Sequence, residues 1–431
     1  MHRTFILIAF LIGLLQLFGT AHAQEAEAKE SELDILVALA RKNHPTSRAA
    51  KQRVRAAKEV PLRVSSLPDP MLITSAQNFR FDDVGLGTHP MTGLVIGVTQ
   101  GLPYPGKLGA RKRVANAISS LTSAHDRNLE ENIELKVRRL YWNLHYSERA
   151  LAIVTENLAI VDMLTNVVHV RFAVGQGAQQ DAIQAQVAHS RLRVDIEARK
   201  QAVQSARRAL NEAVGREPEA FLAATTKPHA RLALASRDTL RTKATSHNPR
   251  LAIARTETLV ASRKVARARR DRYPDFMIGA NYRARASAPG DGSDGADMVS
   301  VTVGMTLPLW LGDKQDAAVR EQGHRLRASQ ATLDAELLAV ETSVELVYDE
   351  IWRLDMQLKL YEGELLAAAS LSVDASIGDY QVGKIGFVSV LENWRTDLNL
   401  QVAYEQLVAL RAQAQAQLRT LVGADVARNA Q

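Results

Sequence analysis

Four short segments of the chain alternate positions with a period of two, and two much longer ones place an apolar residue every three or four positions. The short segments come in pairs. Met71, Ile73, Ser75, Gln77 and Phe79 alternate with Leu72, Thr74, Ala76 and Asn78, and Leu94, Ile96 and Val98 alternate with Val95, Gly97 and Thr99. Later in the chain Phe276, Ile278, Ala280 and Tyr282 oppose Met277, Gly279, Asn281 and Arg283. Val299, Val301, Val303, Met305 and Leu307 oppose Ser300, Thr302, Gly304 and Thr306. A period of two predicts strands, each close to the ~9–11 residues that a tilted strand needs to cross a bilayer. The polar, glycine-rich stretches Arg80–Met91 and Ala286–Asp297 predict exposed loops within each pair.

The long segments predict helices with coiled-coil seams. Leu333, Leu337, Val340, Val344, Val347, Ile351, Leu354, Leu358, Tyr361 and Leu365 alternate spacings of four and three. Ile133, Val137, Leu140, Leu144, Leu151, Val154, Leu158 and Val161 form the matching stripe of the first half, interrupted at Ser147. An apolar residue every 3.5 positions on average is the mark of such a seam. At 1.5 Å per residue, a helix from Gly106 to Ala173 extends about 100 Å.

The two sets of elements are copies of each other. Leu102-Pro103 matches Leu307-Pro308, Val174-Gly175 matches Val382-Gly383, Val214-Gly215 matches Val422-Gly423, and Leu67-Pro68-Asp69 matches Tyr273-Pro274-Asp275. The period exceeds 200 residues, far above a solenoid repeat. Residues 24–230 and 231–431 are therefore read as two tandem repeats, each a helix (Ser31–Val64, then Arg237–Arg270), two strands, a long helix, a glycine turn and another helix. The fold class expected is mainly α with a small β part.

Composition narrows the location. Arg3, the apolar run Phe5–Phe18 and Ala21-His22-Ala23 make residues 1–23 a secretory signal peptide, with the mature chain starting at Gln24. The chain has no cysteine, which excludes disulfides, thiolate metal sites and a lipid-modified N-terminal Cys. No later run of about 18 apolar residues predicts a transmembrane helix. A net charge of +7 is modest for 431 residues, so nucleic acid is not an expected partner. The eleven histidines lack H-x-x-H or H-E-x-x-H spacing, so no metal site, no cofactor and no catalytic constellation is expected. Trp142, Trp352, Tyr141 and Tyr348 read as helix packing.

Gln100-Gly-Leu-Pro-Tyr-Pro-Gly-Lys107 contains the phosphate-loop spacing G-x-x-x-x-G-K. Leu108 stands where that loop needs Ser or Thr, and Pro103 and Pro105 lack the N–H groups that would cradle a phosphate. Pro103, Pro105 and Gly106 instead predict a rigid strand-to-helix joint, matched by Pro308 and Gly312 in the second half.

Four strands cannot close a membrane barrel, since the smallest have about eight, and open edges in lipid cost several kcal/mol per unpaired group. Several copies must contribute; two, three or four would satisfy the rule equally. The chain resembles the outer-membrane efflux (TolC) family over nearly all of its mature length. Leu67-Pro-Asp-Pro-Met71, Gln100–Lys107 and Gly383-Lys-Ile-Gly-Phe-Val-Ser-Val-Leu-Glu392 resemble its heavy-metal efflux branch. The resemblance implies a homotrimer with a twelve-strand barrel in the outer membrane of a Gram-negative cell, continued by a helical tunnel in the periplasm. It also implies a periplasmic adaptor (membrane fusion) protein and an inner-membrane, proton-driven pump of the resistance-nodulation-division type as partners. Metal cations are the implied cargo, with drugs or other small molecules as the alternative, and a soluble periplasmic coiled-coil protein is the rival from another class.

By the same resemblance, Val174, Gly175 and Gln176 with Val382, Gly383 and Lys384 are adaptor-docking tips, while Glu392, Ser389 and Asp181 lie at a periplasmic gate. Glu392 takes the later of two expected acidic positions and Ser389 the earlier, so half of the usual charge is missing. Asp181 also reads as a helix N-terminal charge favoured by the dipole. The basic runs Arg263-Lys264, Arg267, Arg269-Arg270, Arg272 and Arg111-Lys112-Arg113 flank the strands and read as solvated faces, or as a collar on anionic outer-membrane lipid.

Overall fold

The computed structural model describes residues 32–82, 84–227, 234–290, 292 and 294–423. The expected signal peptide lies outside them. Among the described residues two compact units emerge, one from those up to Ala50, within Asp126–Leu251 and from Leu337 onwards, the other from those within Lys51–His125 and Ala252–Glu336. Each unit draws on both halves of the sequence.

In chain order the elements are α1 (residues 32–43), α2 (Pro45–Ser65), β1 (Met71–Gln77), β2 (Gly93–Leu102), α3 (Lys107–Ala173), α4 (Gln179–Val214), α5 (Arg237–His247) and α6 (Pro249–Arg270). There follow β3 (Phe276–Ala284), β4 (Met298–Met305), a π turn (Leu311–Asp316), α7 (Ala317–Leu360), a second π turn (Tyr361–Leu365), α8 (Leu366–Gln381) and α9 (Phe387–Val422).

The single helices expected over Ser31–Val64 and Arg237–Arg270 are each two helices. The breaks fall at His44 and Asn248, both followed by proline. Proline drives the residue before it out of the α region and starts a new helix comfortably at its own first position. Asn248 leaves the helical region at φ −60°, ψ 126°, and its side-chain Oδ1 accepts the Arg250 N–H at 2.9 Å.

The four strands form one antiparallel sheet in the order β1-β2-β3-β4. Val98 opposes Leu72 and Ala280, and Ile96 opposes Thr74 and Tyr282; Ala280 in turn opposes Val301. One face thus carries Leu72, Leu94, Ile96, Val98, Tyr282, Val299, Val301 and Val303, and these apolar side chains are exposed. The other face carries Ser75, Gln77, Thr99, Asn281, Arg283, Ser300 and Thr302 alongside Met71, Ile73, Val95, Met277 and Met298, interleaved with glycines. A Cβ at Gly97 would meet the Asn281 Cβ at 2.6 Å, and one at Gly93 the Arg283 Cγ at 2.7 Å. Those glycines make room for polar side chains across the inner surface. An apolar face backed by one that gathers the polar side chains is the pattern of a membrane barrel wall. β1 ends at Gln77, two residues short of the sequence reading, because Asn78 turns into the left-handed region at φ 59°.

In the other unit the seams are buried. Ile133, Val137 and Leu144 of α3 pack with Val203, Leu210 and Val214 of α4 and with Leu33, Leu36 and Val37 of α1. Further along α3, Val154, Val161, Leu164 and Val168 pack against α4, α8 and α9. An 18-residue window of α3 is apolar enough by mean hydropathy to cross a bilayer, although polar residues interrupt it as the sequence shows, and its buried residues pack in this core. In α7 the buried stretch of the stripe is Val340 to Leu358. Leu365 is exposed rather than seated, because the π turn at Tyr361–Leu365 shifts the register of the seam and brings Val373, Ser376 and Tyr380 of α8 inward. Trp352 is also exposed; its expected packing role is not filled within the chain. Within the seam, buried Asn157 accepts the Trp394 indole N–H at 2.9 Å and donates to the Ile153 carbonyl, so its polar atoms are satisfied in an apolar layer.

Candidate functional site

Two arrangements of side chains stand out, one in each unit. The first is the pair of helix tips. At the end of α3, Gly175 sits at φ 76°, with Gln176 N–H donating to the Arg171 carbonyl and Gly175 N–H to that of Phe172. At the end of α8, Gly383 sits at φ 79°, with Lys384 N–H donating to the Asp379 carbonyl and Gly383 N–H to that of Tyr380. These are two copies of one Schellman cap, which glycine permits because it has no Cβ. Val174 and Val382 beside them are exposed apolar residues.

The two tips are tied together by side chains. Tyr380, only 4% exposed, donates its hydroxyl to Asp181 Oδ2 at 3.0 Å. Its ring lies 4.6 Å from the Arg171 guanidinium and 5.4 Å from the Phe387 ring. Arg171 also donates to the Gln176 carbonyl at 3.1 Å, and a Cβ at Gly383 would stand 3.5 Å from its Nη2. Burial first, and then donation to Asp181, pushes the Tyr380 phenol up to about 12. Asp181 occupies the first turn of α4, so a helix N-terminus and a phenol hold it at once. The tip also carries a Lys384–Asp379 pair at 3.4 Å.

Glu392 and Ser389 are exposed on α9, three residues apart and hence on one face. The side-chain partner of Asp181 is Tyr380, not either of these two. Sequence reading missed Arg171 and Tyr380. Their only signal was a cation and a phenol in the last turns of two helices that end on matching Val-Gly turns.

The second arrangement is the joint between β2 and α3. Pro103, Pro105 and Gly106 fill the gap between the two elements, with Gly106 at φ 92°. Lys107, which a phosphate loop would aim at its ligand, is 5% exposed and paired with Asp275 at 2.9 Å. Asp275 also accepts the Tyr104 N–H at 2.8 Å, and the Tyr104 ring stacks on Tyr273 at 4.5 Å. The residues just before β3 therefore clamp the end of β2. At the second joint Pro308 lies in an exposed stretch with Leu309 and Trp310, and Gly312 falls within the π turn. Of the basic residues, Arg267 meets Asp271 at 3.5 Å and Arg272 meets Asp316 at 3.0 Å. Arg111 and Lys264 line a groove of about 720 Å³ with Tyr273 and Trp310. Among the described residues no cluster of His, Asp or Glu could hold a metal ion.

The four-stranded sheet and the very long helices are an arrangement shared with solved outer-membrane proteins. The model of the family described as Outer membrane efflux protein matches residues 240–424. The outer membrane efflux protein BepC of Brucella suis biovar 1 (strain 1330) is 22% identical over 398 residues, which cover 90% of this chain and 84% of BepC. Among solved structures, the outer membrane protein VceC of Vibrio cholerae superposes with a TM-score of 0.76 at 17% identity, covering 91% of this chain and 96% of VceC. CusC, whose structures concern folding and transmembrane channel formation, gives 0.75 at 16% identity, with 91% and 92% covered. The family model covers less than half of this chain, and the structural matches show that it shares its fold with these outer-membrane proteins.

Proposed function

We propose that three copies of this chain form a passive outer-membrane exit duct of a tripartite efflux system. The observation that carries the reading is the four-stranded sheet with an exposed apolar face and two unpaired edges, β1 and β4. Lipid cannot satisfy those edges, so each must find its partner on another copy. Three sheets of four give twelve strands around a lumen lined by Ser75, Gln77, Asn281, Arg283, Ser300 and Thr302. No bond is made or broken; energy enters from an inner-membrane pump through an adaptor docked at Val174–Gln176 and Val382–Lys384. The Tyr380–Asp181 tie holds the two tips of each copy in the closed arrangement, and opening requires it to part. Outer-membrane fractionation followed by electrophoresis without boiling tests this reading: a heat-resistant oligomer supports it, and a soluble periplasmic chain refutes it.

Metal cations are the cargo this reading favours, supported by the Leu67–Met71, Gln100–Lys107 and Gly383–Glu392 motifs. A deletion strain should become sensitive to divalent or monovalent transition metals; sensitivity confined to organic drugs would assign the duct to a drug pump. Glu392, exposed near the second tip, supplies a ring of three carboxylates at the mouth of the duct, which attracts cations. Glu392→Lys is expected to shift planar-bilayer selectivity towards anions, by about threefold or more in permeability ratio. An unchanged ratio would remove Glu392 from the pore lining.

A further inference from the structure

The internal duplication, applied to the strand pair that one chain does not contain, specifies how the next copy attaches. The inference rests on the oligomeric reading above. Within the chain β2 pairs with β3 so that Leu102 opposes Phe276, Val98 opposes Ala280 and Leu94 opposes Ala284. The repeat carries Leu102-Pro103 onto Leu307-Pro308, at the end of β4, and Tyr273-Pro274-Asp275 back onto Leu67-Pro68-Asp69, at the start of β1. We propose that β4 pairs with the next copy's β1 in the register this equivalence gives: Met305 opposite the partner's Leu72, Val303 opposite the partner's Thr74, and Val301 opposite the partner's Ala76.

An independent observation agrees. Leu72, Thr74 and Ala76 share a face with Val98, Ile96 and Leu94 through the β1–β2 register. Met305, Val303 and Val301 share that same face through Phe276, Ile278 and Ala280. Every inferred pair therefore falls on the apolar surface. A slip of one residue would set Val303 against Ile73 or Ser75 on the inner surface, and the apolar band would break.

The ends of the strands fit as well. At the joint contained in one chain, Asp275 binds Lys107 at 2.9 Å and Tyr273 stacks on Tyr104. The equivalents of Asp275 and Tyr273 are Asp69 and Leu67; the equivalent of Tyr104 is Leu309. All three are exposed in one chain, and Leu67 and Leu309 are 53% and 74% exposed. The cation of the second joint is Lys314, which follows Leu307 by seven positions where Lys107 follows Leu102 by five. The π turn at Leu311–Asp316 accommodates the longer connection. The Leu309 N–H already closes on the Leu307 carbonyl at 2.9 Å, which leaves the lysine as the group that receives the carboxylate. Lys314 thus grips the partner's Asp69, and Leu309 covers the partner's Leu67, completing a joint left half-built in each copy.

The absence of cysteine makes the test direct. Thr74→Cys/Val303→Cys is compared with the slipped pairs Thr74→Cys/Val301→Cys and Thr74→Cys/Met305→Cys, each in the full-length protein oxidised in outer membranes. Directly opposed Cβ atoms lie ~5 Å apart and diagonal ones ~7–8 Å, and only the former suit a disulfide. The first pair is expected to give covalent oligomers with a yield about fivefold above either slipped pair. A slipped pair that links better overturns the register while leaving the oligomer standing; no link from any pair in a monomeric protein overturns the oligomeric reading itself. For the clamp, Asp69→Lys is expected to lower the heat resistance of the oligomer, and adding Lys314→Asp to the same chain is expected to restore it. Failure of the swap to restore it overturns the Asp69–Lys314 contact.

Discussion

Replacing Tyr380 with phenylalanine is expected to raise the open fraction of the channel about tenfold in planar bilayers. The substitution keeps the ring, and with it the contacts to Phe387 and Arg171, and removes only the hydroxyl that reaches Asp181 at 3.0 Å. A hydrogen bond to a charged partner contributes about 1.5–3 kcal/mol, and the lower end applies because Asp181 is only half-buried. About 1.4 kcal/mol is a factor of ten. Asp181→Asn should act in the same direction and more weakly, since an amide oxygen still accepts. The pH dependence separates this tie from general loosening. Because burial and the bond to Asp181 push the Tyr380 phenol from 10.0 up to about 12, its stabilisation is complete below the ordinary value and is lost as pH rises through the folded one. The parent channel should hold its open fraction up to about pH 10 and then approach the phenylalanine variant, which shows no such rise. A flat profile in both proteins would detach Tyr380 from closure.

Asp275→Ala is expected to lower the stability of the sheet-bearing unit by about 2–3 kcal/mol. The buried Lys107 ammonium would lose its counter-charge, and the Tyr104 N–H its acceptor. Breaking a fully buried pair costs about 3–5 kcal/mol; the smaller figure reflects the 37% exposure of the Asp275 side chain. Lys107→Met/Asp275→Leu should recover most of the loss, because no charge is then left without a partner. Thermal melting of the detergent-solubilised protein, monitored by circular dichroism in the β region, reads both variants. Equal melting temperatures for Asp275→Ala and the parent would show that the pair contributes nothing to the joint.

Much of the architecture was legible because two periodicities are hard to confuse. The alternation at Val299, Val301 and Val303 and the seam from Val340 to Leu358 report one face each, and the structure puts each on the side its chemistry requires. The duplication was legible because the turns it repeats need glycine or proline, as the paired Schellman caps at Gly175 and Gly383 illustrate. What the sequence did not reveal depends on distance along the chain. Tyr380 meets Asp181 across 199 positions, and no local spacing announces such a partner. The π turn at Tyr361–Leu365 was hidden for a different reason. A heptad stripe continues through it in the letters, while the added residue per turn rotates Leu365 out of the core. The breaks at His44 and Asn248 were written in the prolines that follow them, and were overridden in reading by the length of the helical pattern around them.

The requirement that sheet edges in lipid find partners on neighbouring copies is tested most directly by native mass spectrometry of the protein extracted from outer membranes in mild detergent. Three chains per particle, with the β signal retained, is the expected result. A single chain per particle with its sheet intact would contradict it, since β1 and β4 would then stand unpaired in the membrane.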